Sequence, residues 1–139
     1  MTTVRQLMTS PVHCVRESDS VLEAARLMAA QGVGAVPVCG EDGRIKGMLT
    51  DRDIVVRVLA EGKDPRALHA SEVVQGETVT IGPDADAEEA VRAMSEHAVR
   101  RLPVVDGGAL AGIVAQADVA RALSNPASGD LVEAISRER

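Results

Sequence analysis

Residues 47–53 read GMLTDRD, and residues 112–118 read GIVAQAD. Both stretches hold a glycine, two apolar residues, a variable triplet and an aspartate in one frame. Thr50 stands three residues before the first aspartate, and Ala115 holds that place in the second copy. Working outward, Val36-Pro37-Val38 aligns with Leu102-Pro103-Val104. The same offset pairs Ala24 with Ala90, Met28 with Met94, and Leu7-Met8 with Val73-Val74. One deletion in the glycine-rich turn then brings Gly47 onto Gly112 and Asp53 onto Asp118. The chain is therefore a tandem repeat, 1–65 and 66–124, followed by a tail, 125–139. Half of such a chain is too small to bury much of its surface, so two halves related by pseudo-twofold symmetry and sharing a core are expected.

Each half parses as β-α-β-β-α, an α/β (α+β) pattern. In the first, Val12–Val15 reads as a strand. Ser20 and Glu23 have capping-box spacing, apolar Val21, Ala24, Ala25 and Met28 follow at helical intervals, and Gly32 ends the helix. Val36–Cys39 is a second strand, whose Pro37 interrupts its donors and so should face a cleft or an edge. A turn at Glu41–Gly43, a strand at Ile45–Leu49 and a helix from Thr50 to about Glu61 complete it. The second half repeats this order, with a strand at Val79–Ile81 and a helix from Asp86. A strand–helix–strand link implies a parallel pair with a right-handed crossover.

Composition excludes several functions. Formal charge is −6, and there is no Phe, Tyr or Trp to stack on bases, so neither nucleic acid nor an anionic membrane is an expected partner. No apolar run approaches spanning length. The start MTTVRQLMTSP lacks the basic and apolar pattern of a secretory signal, and a cytoplasmic location is expected. His13, His69 and His97 form no recognisable metal cluster. With no nucleophile–base pair and no glycine-rich phosphate loop, the chain does not read as an enzyme.

The doubled unit, the x-Pro-Val strand and the G-h-h-T-x-x-D segment resemble a tandem pair of CBS domains, over residues 3 to 123. CVRESDSV, GAVPVCG and GMLTDRDIV are similar to the stand-alone, hypoxic-response type within that family. The resemblance implies a regulatory module, dimeric through helices of each half, that binds an adenosyl ligand (AMP, ADP, ATP or S-adenosylmethionine) between the repeats. It would signal to an effector protein that the sequence does not name. It implies no cofactor beyond such a ligand.

The implied site uses Thr50 and Asp53 for phosphate and ribose, with backbone around Val36 and Pro37 at the adenine edge. Asp118 and Pro103 are their counterparts, and Arg100 and Arg101 are placed to neutralise phosphate. A carboxylate can accept both vicinal hydroxyls of a ribose. Two readings of Thr50 and Asp53 stay open, because the same pair can serve as N-cap and first-turn acid. Arg100 and Arg101 can equally form surface ion pairs. Since Ala115 has no hydroxyl, the first site is expected to be competent and the second degraded, on the argument that a pure capping pair would have no use for Asp118. The rival reading is a stress-associated structural or interaction protein that keeps the fold and binds no nucleotide.

Cys14 and Cys39 end the first two strands, while the second repeat has Thr80 and Val105 there. Parallel neighbours bring such ends within disulfide range when both side chains share a face. A reducing cytosol opposes the bond. A redox response, or export without a signal, would follow only from that bond. In the tail, Ser128–Ile135 reads as a short amphipathic helix.

Overall fold

The computed structural model describes residues 2–74 and 78–123. The helix expected at Ser128–Ile135 lies outside these residues. In chain order the elements are α1 (Val4–Leu7), β1 (Val15–Arg16), α2 (Val21–Gln31), β2 (Ala35–Cys39), β3 (Ile45–Thr50), α3 (Asp51–Asp53) continued by a π-helical segment (Ile54–Leu59), α4 (Ala70–Val73), α5 (Ala87–His97), β4 (Arg101–Asp106), β5 (Ala109–Ala115) and α6 (Gln116–Ala122).

The chain divides into two compact units, residues 13–78 and residues 1–12 with 79–139. These packing units do not follow the repeat boundaries 1–65 and 66–124. Each takes the body of one repeat and the leading segment of the other. In the first unit (13–78), the α4 segment is anchored by Ala70 N–H donating to Asp19 O at 2.7 Å. In the second, α1 is anchored at the equivalent point, with Val4 N–H donating to Ala85 O at 2.8 Å. Thr9 then pairs with Ile113.

This arrangement explains the repeated glycine. A Cβ on Gly47 would overlap Val74 Cγ1, and one on Gly112 would lie 2.7 Å from the Thr9 carbonyl and 2.8 Å from Met8 Sδ. In each unit the leading segment of the other repeat lies against the glycine, and any side chain there would lift it.

In the first unit the sheet order is β1-β2-β3, with β1 parallel and β3 antiparallel to β2. The second unit pairs β4 with β5 antiparallel, and Ile81 bridges Val104 in parallel. The expected strand at Val12–Val15 forms later, at Val15–Arg16. Its leading residues are drawn the other way, because Thr9 is paired within the second unit and Pro11 has no N–H to contribute. The strand expected at Val79–Ile81 reduces to the single bridge at Ile81. Pro37 is not at an edge, because β2 is the middle strand; Pro103 lies in β4 of the two-stranded sheet, and both prolines are buried. The Pro103 carbonyl accepts the first parallel bond, from Ile81 N–H at 3.1 Å. Its nitrogen faces the same flank, ahead of where pairing starts, so the missing N–H interrupts no established ladder.

The caps follow the sequence. Ser20 Oγ accepts Glu23 N–H at 3.1 Å, and Asp86 Oδ1 accepts Glu89 N–H at 2.8 Å. Gly32 ends α2 at φ +66°, and Ala98 ends α5 at φ +52° without glycine's freedom. The core of the first unit gathers Val21, Ala24, Met28, Val38 and Leu49. The second gathers their counterparts Ala87, Ala90, Met94, Val104 and Val114. Each of the buried valine, leucine and methionine side chains among them contributes about 1.5–3 kcal/mol.

The helix expected from Thr50 to Glu61 is α-helical only at its start. From Ile54 to Leu59 it is π-helical, as in the Ala60 N–H to Val55 O bond of 2.8 Å. Ile54 and Val58 enter the core, while Val55, Val56 and Leu59 are 56%, 45% and 54% exposed.

Candidate ligand site

The repeated segment turns from strand to helix at Thr50 and at Ala115. Strand register sets what stands beside each turn: Ala35 pairs with Thr50, and Arg101 pairs with Ala115. The helix starts are tied down alike. Asp51 N–H donates to Gly34 O at 2.9 Å, and Gln116 N–H donates to Arg100 O at 2.8 Å. Each unit thus brings the lead-in of its proline strand to its own repeated aspartate.

At the first turn Thr50 and Asp53 cap one another. Asp53 N–H donates to Thr50 Oγ1 at 3.0 Å, and Thr50 N–H donates to Asp53 Oδ2 at 3.0 Å. Asp53 Oδ1 faces Arg57 Nε at 3.9 Å, an ion pair without a hydrogen bond. The carboxylate is 24% exposed. At the second turn Ala115 offers no acceptor, yet Asp118 Oδ2 still accepts the Ala115 N–H at 3.1 Å. Its Oδ1 accepts from Arg121 Nη2 at 2.6 Å. Contrary to expectation, Asp118 is therefore not idle without a threonine. The carboxylate half of a capping box works independently of the hydroxyl half, because it satisfies a different N–H.

Other expected site residues divide by burial. Val36 is 3% exposed and belongs to the core, and Pro37 and Pro103 are buried. What they can offer a ligand is backbone. Arg100 and Arg101 are exposed, and neither forms an ion pair among the described residues. Arg101 is thus a cation without an ion pair among the described residues, on the residue paired with Ala115, where the second unit lacks a hydroxyl. Sequence reasoning missed Arg57 and Arg121, although their spacings of four and three residues from the aspartates are those of helical ion pairs. It also missed Gln116, whose Oε1 is buried without a hydrogen-bond partner.

Cys14 is exposed and Cys39 buried, both as free thiols. Burial, reinforced by the neighbouring Cys14, pushes the Cys39 thiol up to about 12. His69 Nδ1 lies 2.7 Å from Ser18 O, while the backbone N–H of His69 donates to Glu72 Oε2 at 2.7 Å. No group of three or more His, Cys, Asp or Glu among the described residues could hold a metal ion. No helix among them is long and apolar enough to cross a membrane.

A parallel β-α-β crossover with an added antiparallel strand, doubled, and a carboxylate repeated at the following helix start define a CBS-pair protein. The chain belongs to the CBS domain family, which matches residues 4–60 and 70–125. It is 43% identical over 135 residues to Hypoxic response protein 1 of Mycobacterium tuberculosis, covering 97% of this chain and 94% of the relative. Identity to the CBS domain-containing protein YhcV of Bacillus subtilis is 42% over 139 residues, covering 99% and 98%. A crystal structure of Hypoxic Response Protein I with two coordinated zinc ions superposes with a TM-score of 0.82 at 43% identity, covering 88% of this chain and 99% of that one. A crystal structure of CBSX2 in complex with AMP gives 0.75 at 27% identity, covering 88% and 96%.

Proposed function

We propose that this protein is a regulatory module that binds an adenosyl ligand through Thr50 and Asp53 and passes its occupancy to an effector protein, without catalysis. The observation that carries this reading is the state of Asp53. One oxygen is spent on the Thr50 N–H, and the other has only a 3.9 Å ion pair. A carboxylate that is 24% exposed and has lone pairs open on one oxygen, next to a half-buried threonine, suits a ribose. The AMP complex of CBSX2 supports the adenosyl class. With no Phe, Tyr or Trp in the chain, the base would lie against aliphatic and backbone groups, and affinity would be modest. The exposed Val55, Val56 and Leu59 support a second copy of the chain as a partner. Similarity to Hypoxic response protein 1 supports a stress-linked role.

Isothermal titration with AMP, ADP, ATP and S-adenosylmethionine tests the reading. At least one should bind. Asp53→Ala should then weaken it about tenfold or more, the worth of a hydrogen bond to a charged group. Asp118→Ala should weaken it less. No binding across the panel would leave the second reading, a CBS-fold interaction protein without a nucleotide. One observation favours that alternative: both aspartates already serve as cap acceptors, so neither needs a ligand to account for its presence.

A further inference from the structure

The register of the first unit puts its two cysteines together. Val15 pairs with Val38 and Arg16 with Cys39 in the parallel ladder. Cys14 precedes β1 by one residue, so it shares a face with Arg16, and Arg16 shares a row with Cys39. The two thiols therefore meet diagonally on one face. They open onto a cavity of about 470 Å³ lined also by Arg16, Gly40, Glu41 and Gly43. Their accessibility differs sharply, Cys14 being exposed and Cys39 3% exposed. The second unit is an internal control. Its Ile81–Val104 bridge is the counterpart of Val15–Val38, yet the equivalent positions hold Thr80 and Val105. The fold forms this corner without sulfur.

We propose that Cys14 and Cys39 are a peroxide-responsive dithiol, with Cys14 the thiol that meets the oxidant and Cys39 the thiol that resolves it. The Cys14 thiolate attacks one oxygen of a hydroperoxide and the O–O bond breaks. An alcohol, or water from hydrogen peroxide, leaves with the proton, and Cys14 becomes a sulfenic acid. The Cys39 sulfur then attacks the Cys14 sulfur. The S–O bond breaks, and water departs with the Cys39 proton. Two electrons pass from the two thiols to the peroxide, and a Cys14–Cys39 disulfide remains. Burial keeps Cys39 protonated and away from the oxidant until the sulfenic acid forms beside it. Room for the peroxide is provided by the cavity, and access by the exposure of Cys14.

The test is mass spectrometry after alkylation under denaturing conditions without reductant, on the full chain treated with one equivalent of hydrogen peroxide. Reduced protein should take two alkyl groups, and treated protein none, with no intermolecular species on a non-reducing gel. The single variants borrow the residues of the second unit so that the fold is kept. Cys39→Val should trap the sulfenic acid at residue 14 as a dimedone adduct. Cys14→Thr should leave Cys39 as an unmodified thiol. Two free thiols after treatment would overturn the proposal, as would oxidation of Cys39 in Cys14→Thr or a disulfide between copies. Reduced native protein that resists alkylation until a chelator is added would assign the pair to a metal and overturn it as well.

Discussion

At Thr50–Asp53 the hydroxyl and the carboxylate cap each other and leave one carboxylate oxygen unbonded. At Ala115–Asp118 the hydroxyl is gone, and Arg121 has taken the second oxygen at 2.6 Å. The two helix starts share a backbone and a spacing, but Asp118 has a hydrogen bond on each oxygen while Asp53 Oδ1 has none among the described residues. A repeated aspartate is thus explained by helix capping in both units, and the proposed difference in ligand binding rests on the second oxygen.

The largest expected effect concerns the shared glycine. Gly112→Ala sets a methyl against the Thr9 carbonyl, which is backbone and cannot rotate away. Urea unfolding should show a loss of about 1–3 kcal/mol. Gly47→Ala overlaps Val74 Cγ1 still more closely, and a valine is stiff about χ1, so its cost should be of the same order. A neutral result at either glycine would show that its leading segment is not held as the structure has it.

Next in size is an attempt to repair the weaker site. Ala115→Thr with Arg121→Ala restores the hydroxyl and releases Asp118 Oδ1. If occupancy by arginine limits that site, titration with whichever adenosyl ligand the unaltered chain binds should reveal binding that survives Asp53→Ala. Its continued absence would mean that the difference between the units lies elsewhere.

Thr50→Ala should destabilise the protein by about 1 kcal/mol through loss of the cap, and Ala115→Thr should stabilise it by a similar or smaller amount. Opposite signs in thermal unfolding are the readout. Ala98→Gly should stabilise by about 1 kcal/mol or less, since Ala98 sits at φ +52° where its counterpart is Gly32. A neutral or destabilising result would place strain elsewhere at the end of α5.

Cysteine chemistry adds a comparison visible only in alkali. Cys39 is held up to about 12 by burial and by Cys14. The unfolded thiol ionises near its ordinary value, and the folded one cannot follow. Stability should therefore be unaffected below about pH 8.5 and fall as pH rises from there towards 12. Cys39→Val should flatten that part of the profile.

Features set by local chemistry were legible in the sequence. Ser20 and Asp86 cap their helices, and Gly32 ends one. The apolar spacing of Ala24, Met28, Ala90 and Met94 marked the buried faces. The exchange of leading segments was not legible. It depends on a long-range choice of partner, and Leu7-Met8 is as apolar as the Val73-Val74 pair it matches. The π-helical turn at Ile54–Leu59 was also hidden, because Ile-Val-Val-Arg-Val-Leu gives an apolar run with no clean helical period. At the site, the aspartates could be read from their spacing, but Asp118's retained bond to Ala115 N–H could not. It follows from the N-cap backbone geometry, which persists when the cap side chain changes.

The central claim is that Asp53 keeps an oxygen for a ligand and Asp118 does not. An amide-resolved NMR titration with AMP reads both helix starts in one sample. The account predicts saturable shifts at Thr50 and Asp53, with Ala115 and Asp118 unmoved until much higher concentration. Equal shifts at both starts, or shifts at Ala115 and Asp118 alone, would contradict it.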